Sequence, residues 1–134
     1  MDLLERDAVH FGYDLIRNDL LKELLGQEHD SLLYWSGKAL ARKYPLHSIT
    51  ETIEFFKDAN WGSLALIKEK KRERLFELRG TWMGKQDKRC YQLEAGFLAQ
   101  QVEHLTGFTS GATNTVKKGF VLFHIETDVQ DEIE

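Results

Sequence analysis

The sequence predicts an α+β fold: three N-terminal helices, a β-hairpin, a central helix and a second β-hairpin, with the helices packed on a four-stranded twisted antiparallel sheet. Apolar residues recur every three or four positions before residue 60 and again over 91–105, which is typical of helices. Short apolar runs separated by charged or glycine-containing turns occupy 61–82 and 109–127, which is typical of β-hairpins. At 134 residues, with one proline, the chain shows no internal boundary. We therefore expect a single domain over 1–134, with an acidic tail from about residue 128 that could fray.

The first two predicted helices each carry an apolar stripe. In the first, large side chains recur at helical spacing until a glycine can end the helix: Tyr13, Ile16, Leu20, Leu24 and then Gly26. The second can be capped by Asp30 or Ser31 and stops on the approach to Pro45. Its small residues let another backbone come close. We therefore predict a homodimer through these two helices, with the interface residues Tyr13, Ile16, Leu20, Leu33, Ser36, Gly37 and Leu40.

Local signals predict the third helix and both hairpins. Ser48 and Glu51 form a capping-box pattern that opens a helix ending near Asn60. Two apolar runs, 61–69 and 75–82, flank a charged turn and predict the first hairpin. A polar edge strand at 109–116 and a strand at 119–127 that is apolar on both faces predict the second.

The central helix, which follows Cys90 and stops at Gly107, is apolar around more of its girth than a surface helix. This predicts either packing on two sides or the wall of a cavity for a small hydrophobic molecule. The pocket candidates are Trp82, Cys90, Tyr91, Leu93, Gly96, Phe97, Gln100, His104 and His124. The aromatic members could equally fill the core, because aromatic side chains usually pack against one another.

Composition argues against several classes of function. A net charge of -4 disfavours nucleic-acid binding, which depends on clustered Lys and Arg. A single cysteine and acidic residues near the N-terminus predict a cytoplasmic protein, and no apolar run approaches the roughly 20 residues of a membrane span. The five histidines lack metal-ligand spacing and the glycine-rich nucleotide motifs are absent, so we predict no metal and no other cofactor.

Cys90 is the strongest candidate for chemistry. Lys88, Arg89 and the start of a helix would each stabilise a thiolate there, which keeps open a cysteine-dependent enzyme or a redox sensor. A nucleophile also needs a base, and His104 lies about four turns away along the same helix. Glu94 has no second acid at fixed spacing and is interpreted as a cap or a polar-face residue. We therefore favour a non-enzymatic module that binds a hydrophobic ligand or a protein partner.

Three segments carry a resemblance to a known family. The segment Cys90 to Leu98, placed between two hairpins, resembles the 4-vinyl-reductase domain and its relatives among the TRAPP vesicle-tethering subunits. The segments 11–18, 34–38 and 93–99 resemble the bacterial YslB-like family along essentially the whole chain. The resemblance implies helices on a twisted antiparallel sheet, an apolar pocket for an acyl or tetrapyrrole-like ligand, and pairing through the first two helices. The stretch 113–125 lacks the cysteines that vinyl-reductase domains carry near the last hairpin, so we do not expect a metal site of that type.

Overall fold

The computed structural model describes residues 8–84 and 86–132. The helices are α1 (Ala8–Asp14), α2 (Leu21–Leu25), α3 (His29–Lys43), α4 (Ile49–Asp58) and α5 (Gln92–Thr106). The strands are β1 (Ser63–Glu69), β2 (Glu73–Arg79), β3 (Phe108–Lys117) and β4 (Phe120–Glu132). The predicted α+β fold and its order of elements are confirmed. No helix within the described ranges has the length and apolar character needed to cross a membrane.

Residues 8–28 form one continuous helical segment, which we call the N-terminal helical segment. A π-helical stretch, Leu15–Leu20, joins α1 to α2, and a 3-10 turn, Gly26–Glu28, leads directly into α3. Gly26 has a φ of 60° and ends α2 as predicted, because a residue without a side chain adopts this conformation without strain. The predicted cap at Asp30 or Ser31 is wrong. The 3-10 turn starts α3 at His29, with Glu28 in the N-cap position.

The start of α4 uses the predicted capping residues with one shift. Ser48 Oγ accepts a hydrogen bond from the Glu51 backbone N–H at 3.1 Å. The Glu51 carboxylate reaches back to the N–H of His47 at 3.2 Å, one residue earlier than the standard capping box. The helix ends at Asp58, close to the predicted position.

The four strands form an antiparallel sheet in the order β1-β2-β4-β3. β3 is therefore an edge strand, as predicted. Val121, Phe123 and Ile125 of β4 are fully buried, whereas the side chains between them are only half-buried. β4 runs on to Glu132, so residues 128–132 extend the sheet where the sequence predicted an end that could fray. The last two residues of that predicted tail lie outside the described residues.

Helix α5 lies between α3 and the sheet, and residues 94–102 are all buried. A Cβ added to Gly96 would lie 1.9 Å from the Tyr34 carbonyl oxygen, and one on Gly37 would lie 2.1 Å from that of Leu93. The two helices therefore cross in direct backbone contact, which only glycine allows at both positions. The ring of Phe97 stacks on that of Phe55, with 4.6 Å between the ring centroids, and fills the adjoining core. Packing on two sides, one of the two predictions for this helix, is what the structure shows.

Candidate functional site

The start of α5 opens onto a cleft of about 570 Å³, a size usual for small-molecule sites. Lys22 and Asp30 line one side, the segment 88–92 forms the floor, and residues 112–114 and 116 of β3 form the far wall. Asn114 donates a hydrogen bond to the Gln92 side chain at 2.7 Å, which ties the far wall to the start of α5. The cleft has both polar and apolar lining and carries more basic than acidic groups.

Cys90 meets two residues from the start of α3 in this cleft. Its Sγ donates to Asp30 Oδ1 at 3.4 Å, and Nδ1 of the buried His29 lies 2.8 Å from the same oxygen. The hydrogen bond from His29, together with that from Cys90, lowers the pKa of Asp30 below its usual value. The carboxylate therefore stays charged and accepts hydrogen bonds from both neighbours.

The thiol of Cys90 is not activated. Burial raises its pKa, and the negatively charged Asp30 raises it further. The predicted stabilisation by neighbouring cations is wrong for Arg89, because this side chain turns away to pair with Asp14 at 2.7 Å. A neutral, half-buried thiol is a poor nucleophile at physiological pH, and this geometry does not support the enzyme alternative.

Below the cleft, Arg17 and Glu94 form a buried ion pair. Arg17 also donates to the Cys90 carbonyl oxygen at 2.8 Å and to the Tyr13 hydroxyl at 3.0 Å. Burial alone would lower the pKa of Arg17, but the Glu94 carboxylate outweighs it and raises the pKa above its ordinary value. The interpretation of Glu94 as a cap or polar-face residue is wrong, since its side chain is wholly buried. The sequence signal was a pair of opposite charges, each placed in an apolar helical run.

An aromatic and polar network supports the floor of the cleft. Tyr91 donates to the Asp87 carboxylate at 2.5 Å and accepts from the indole N–H of Trp82 at 3.0 Å. Burial, reinforced by Asp87, raises the pKa of the Tyr91 hydroxyl above its ordinary value. The guanidinium of Arg89 lies 4.1 Å from the Trp82 ring centroid, so this arginine is held by both charge and stacking.

Only Cys90 and Tyr91 of the predicted pocket residues line the cleft. Trp82 does not line the cleft, but it donates a hydrogen bond to Tyr91, which does. Leu93, Gly96 and Phe97 pack against other elements of the chain. Farther along α5, Gln100 and His104 face each other at 3.2 Å, whereas His124 lies on the sheet beside Glu73 at 2.9 Å. The predicted pocket residues therefore lie at several separate places in the fold, and two of them line the cleft at the start of α5.

The predicted interface residues divide into two groups. Ile16 and Leu20 are exposed and Tyr13 is half-buried. In α3, Ser36 is exposed, but Leu33 and Gly37 are buried and Leu40 packs against the core. Gly37 meets the backbone of α5, so the small residue serves a contact within the chain. A second copy would therefore meet other side chains of α3.

The arrangement of helices on an antiparallel sheet is shared with a solved protein. The structure is similar to that of a vinyl-4-reductase family protein from Methanocaldococcus jannaschii, with a TM-score of 0.63 at 20% identity over 92% of this chain and 83% of the other. At this identity the similarity defines a class of fold and no more.

Sequence comparison places the chain within a family. Residues 10–126 match the family described as "Protein of unknown function (DUF2507)", and the chain belongs to that family. It is 38% identical to the "Uncharacterized protein YslB" of Bacillus subtilis (strain 168), over 98% of this chain and 93% of the relative. The resemblance to a YslB-like family with a vinyl-reductase fold is thereby confirmed.

Proposed function

We propose that this chain is a non-enzymatic interaction module that pairs with a second copy of itself through its N-terminal helices. One observation carries the proposal. Six large apolar side chains between residues 15 and 35 are exposed on consecutive helices: Leu15, Ile16, Leu20, Leu24, Leu32 and Trp35. Leu24 is 69% and Trp35 60% exposed, which is unusual for side chains that gain free energy on leaving water.

The spacing of these residues suits a helix-to-helix contact. Ile16, Leu20 and Leu24 recur every four positions and so share one side of the N-terminal helical segment. Exposed charges of both signs lie beside this row: Asp19 and Glu23 are acidic, and Lys22 is basic. In a dimer with two-fold symmetry, this apolar row can pack against the same row of the second copy, and the acidic residues of one copy can face the basic residue of the other. A second copy is therefore the occupant that this mixed-charge surface favours.

Light scattering coupled to size exclusion tests the pairing. We expect the wild-type chain to have twice the mass of one chain, and a Leu20→Glu/Leu24→Glu variant to have the mass of a single chain. Ile67→Glu is the control, because Ile67 is an apolar residue on β1 whose exposure (53%) lies between those of Leu20 and Leu24. A wild-type monomer at micromolar concentration, or a control that dissociates as the variant does, would contradict the proposal.

The cleft supports a second function, binding of a small organic acid. Lys22 and Lys88 both line the cleft and are exposed, which favours a carboxylate-bearing ligand. An acyl or tetrapyrrole ligand would then be recognised through its acid groups.

Thermal shift assays with citrate, a fatty acid and a porphyrin test this second function. We expect citrate to raise the melting temperature of the wild type and of Lys57→Gln, whose lysine is on α4, but not that of Lys22→Gln/Lys88→Gln. A shift with the fatty acid or porphyrin alone would count against recognition of a small acid.

A further inference from the structure

Three side chains with different metal-ligand atoms converge where α3 and α5 begin. His29 and Asp30 are the first residues of α3, and Cys90 lies just before α5. One ligand atom from each lies within 4.8 Å of the other two. Asp30 Oδ1 is 2.8 Å from His29 Nδ1 and 3.4 Å from Cys90 Sγ.

These separations approach those of a tetrahedral zinc centre. Zinc bonds of about 2.0–2.3 Å to N, O and S place neighbouring ligand atoms roughly 3.3–3.6 Å apart. The sulfur-to-oxygen separation already fits, and the exposed Asp30 side chain (74%) is free to move outward from His29 by a fraction of an ångström. The nitrogen-to-sulfur separation, which is within 4.8 Å, has to reach the tetrahedral value when the metal binds. We propose that His29, Asp30 and Cys90 bind a Zn²⁺ ion whose fourth position opens into the cleft.

The burial of His29 is an independent observation that points to a ligand. Its side chain is only 7% exposed, yet the ring makes one hydrogen bond, to an exposed carboxylate. Its Nε2 has no hydrogen-bond partner among residues 8–84 and 86–132. A buried imidazole held so weakly costs free energy. A metal bound to Nδ1 gives this ring a coordinate bond in place of its single hydrogen bond to an exposed carboxylate.

The set of donors selects the class of metal. Calcium and magnesium prefer oxygen ligands alone, whereas mixed sulfur, nitrogen and oxygen donors suit zinc. When zinc binds, the Cys90 thiol releases its proton to solvent and the resulting thiolate bonds to the metal. The imidazole binds through Nδ1 and carries its proton on Nε2.

The fourth coordination position of the zinc ion is open to a ligand from the cleft. Asp30 and Cys90 both line the cleft, so an ion held between them faces its interior. Lys22 and Lys88 line the same cleft, where they would attract an anionic fourth ligand. The zinc site does not depend on the pairing of two copies.

Metal titration of the full-length chain tests the site. Chelator-treated protein is titrated with Zn²⁺ against a chromogenic chelator, and with Co²⁺ while the absorption spectrum is followed. We expect one Zn²⁺ per chain, and with Co²⁺ a thiolate charge-transfer band together with the visible bands of a tetrahedral centre. Cys90→Ser should abolish the charge-transfer band and weaken Zn²⁺ binding by more than about 100-fold, since loss of an outer-shell partner alone costs about 10–100-fold.

Two further variants make the test decisive. Asp30→Asn changes an exposed ligand, so this variant should fold. It should bind Zn²⁺ more weakly than the wild type does. His47→Gln changes an exposed histidine outside the cluster and should bind as the wild type does. A wild type without the charge-transfer band, or unchanged Zn²⁺ affinity in both Cys90→Ser and Asp30→Asn, overturns the proposal. Light scattering on the same samples reports pairing separately, so failure of one proposal is not mistaken for failure of the other.

Discussion

Helix α5 and the N-terminal helical segment are held to the domain in opposite ways. In α5, nine consecutive residues are buried, and the helix touches α3 through backbone at Gly96. Among residues 11–28 of the N-terminal helical segment, whose side chains are described, only Arg17 is fully buried, while Leu15, Ile16 and Leu20 face outward. Helix α5 is attached mainly by apolar packing. The N-terminal helical segment is attached by ion pairs and by the half-buried Tyr13, and its exposed apolar side is uncovered.

The difference shows that an apolar stripe does not reveal what covers it. Both regions repeat leucines at helical spacing, but the stripe of α5 meets its own chain and that of the N-terminal helical segment faces solvent. In the latter, Arg17 and Asp14 make long-range ion pairs with Glu94 and Arg89. Substitutions in the two regions should therefore differ in size and even in sign.

Removing the charge of Glu94 should have the largest effect. Glu94→Gln leaves the Arg17 guanidinium buried without a counter-charge, which should cost about 3–5 kcal/mol in the free energy of unfolding measured with urea. A double variant, Arg17→Met/Glu94→Leu, removes both charges and should recover most of that loss. If the double variant is as unstable as the single one, the ion pair is not the cause.

A pair of leucines contrasts the two regions directly. Leu98→Ala empties a fully buried position and should cost about 2–5 kcal/mol. Leu24→Ala, at a position 69% exposed, should change stability by no more than about 0.5 kcal/mol at concentrations too low for pairing. Equal losses of stability in the two variants, measured by thermal unfolding, would contradict this difference between the regions.

Two helical glycines should respond with opposite signs. Gly96→Ala places a Cβ 1.9 Å from the Tyr34 carbonyl oxygen and should destabilise by about 1–3 kcal/mol, since α3 must move away. Gly12→Ala meets no atom within 4 Å among the described residues and should stabilise α1 by up to about 1 kcal/mol. Urea denaturation of both variants checks the pair, and a harmless Gly96→Ala would mean that the helices are not in contact.

The smallest effect should come from an exposed ion pair on the sheet. Lys68, and then His124, lower the pKa of Glu73 from 4.5 to about 2. This contribution to stability is complete above pH 4.5 and disappears as the pH falls toward about 2, because protonation then removes the charge. NMR titration of the Glu73 carboxyl carbon should give a pKa near 2, and Lys68→Ala should raise it; an ordinary pKa in the wild type would show that the pair does not form in solution.

Local sequence patterns predicted the elements of the fold well. The capping residues of α4, the glycine that ends α2 and the two hairpins depend on neighbours in the chain, so their signals lie within a few residues. The starting residue of α3 was missed because a 3-10 turn, which leaves no clear pattern, connects it to α2.

The candidate site was harder to predict because its members are far apart in sequence. Cys90 lies 60 residues from Asp30, and Arg17 lies 77 residues from Glu94. No periodicity reports which charged residues meet across such distances. The wide apolar surface of α5 indicated packing on two sides or a cavity, and the contacts of Gly37 and Gly96 with the backbone of the facing helix show packing.

The crossing of α3 and α5 at these two glycines also constrains how the chain can fold. Gly37 and Gly96 are separated by close to half the chain length, so bringing them together closes a long loop and costs conformational entropy. Helix α4 and the β1-β2 hairpin lie inside this loop and can form from local contacts before it closes. We therefore expect the α3–α5 crossing to form late in folding, so that a substitution there mainly speeds unfolding and leaves the folding rate almost unchanged.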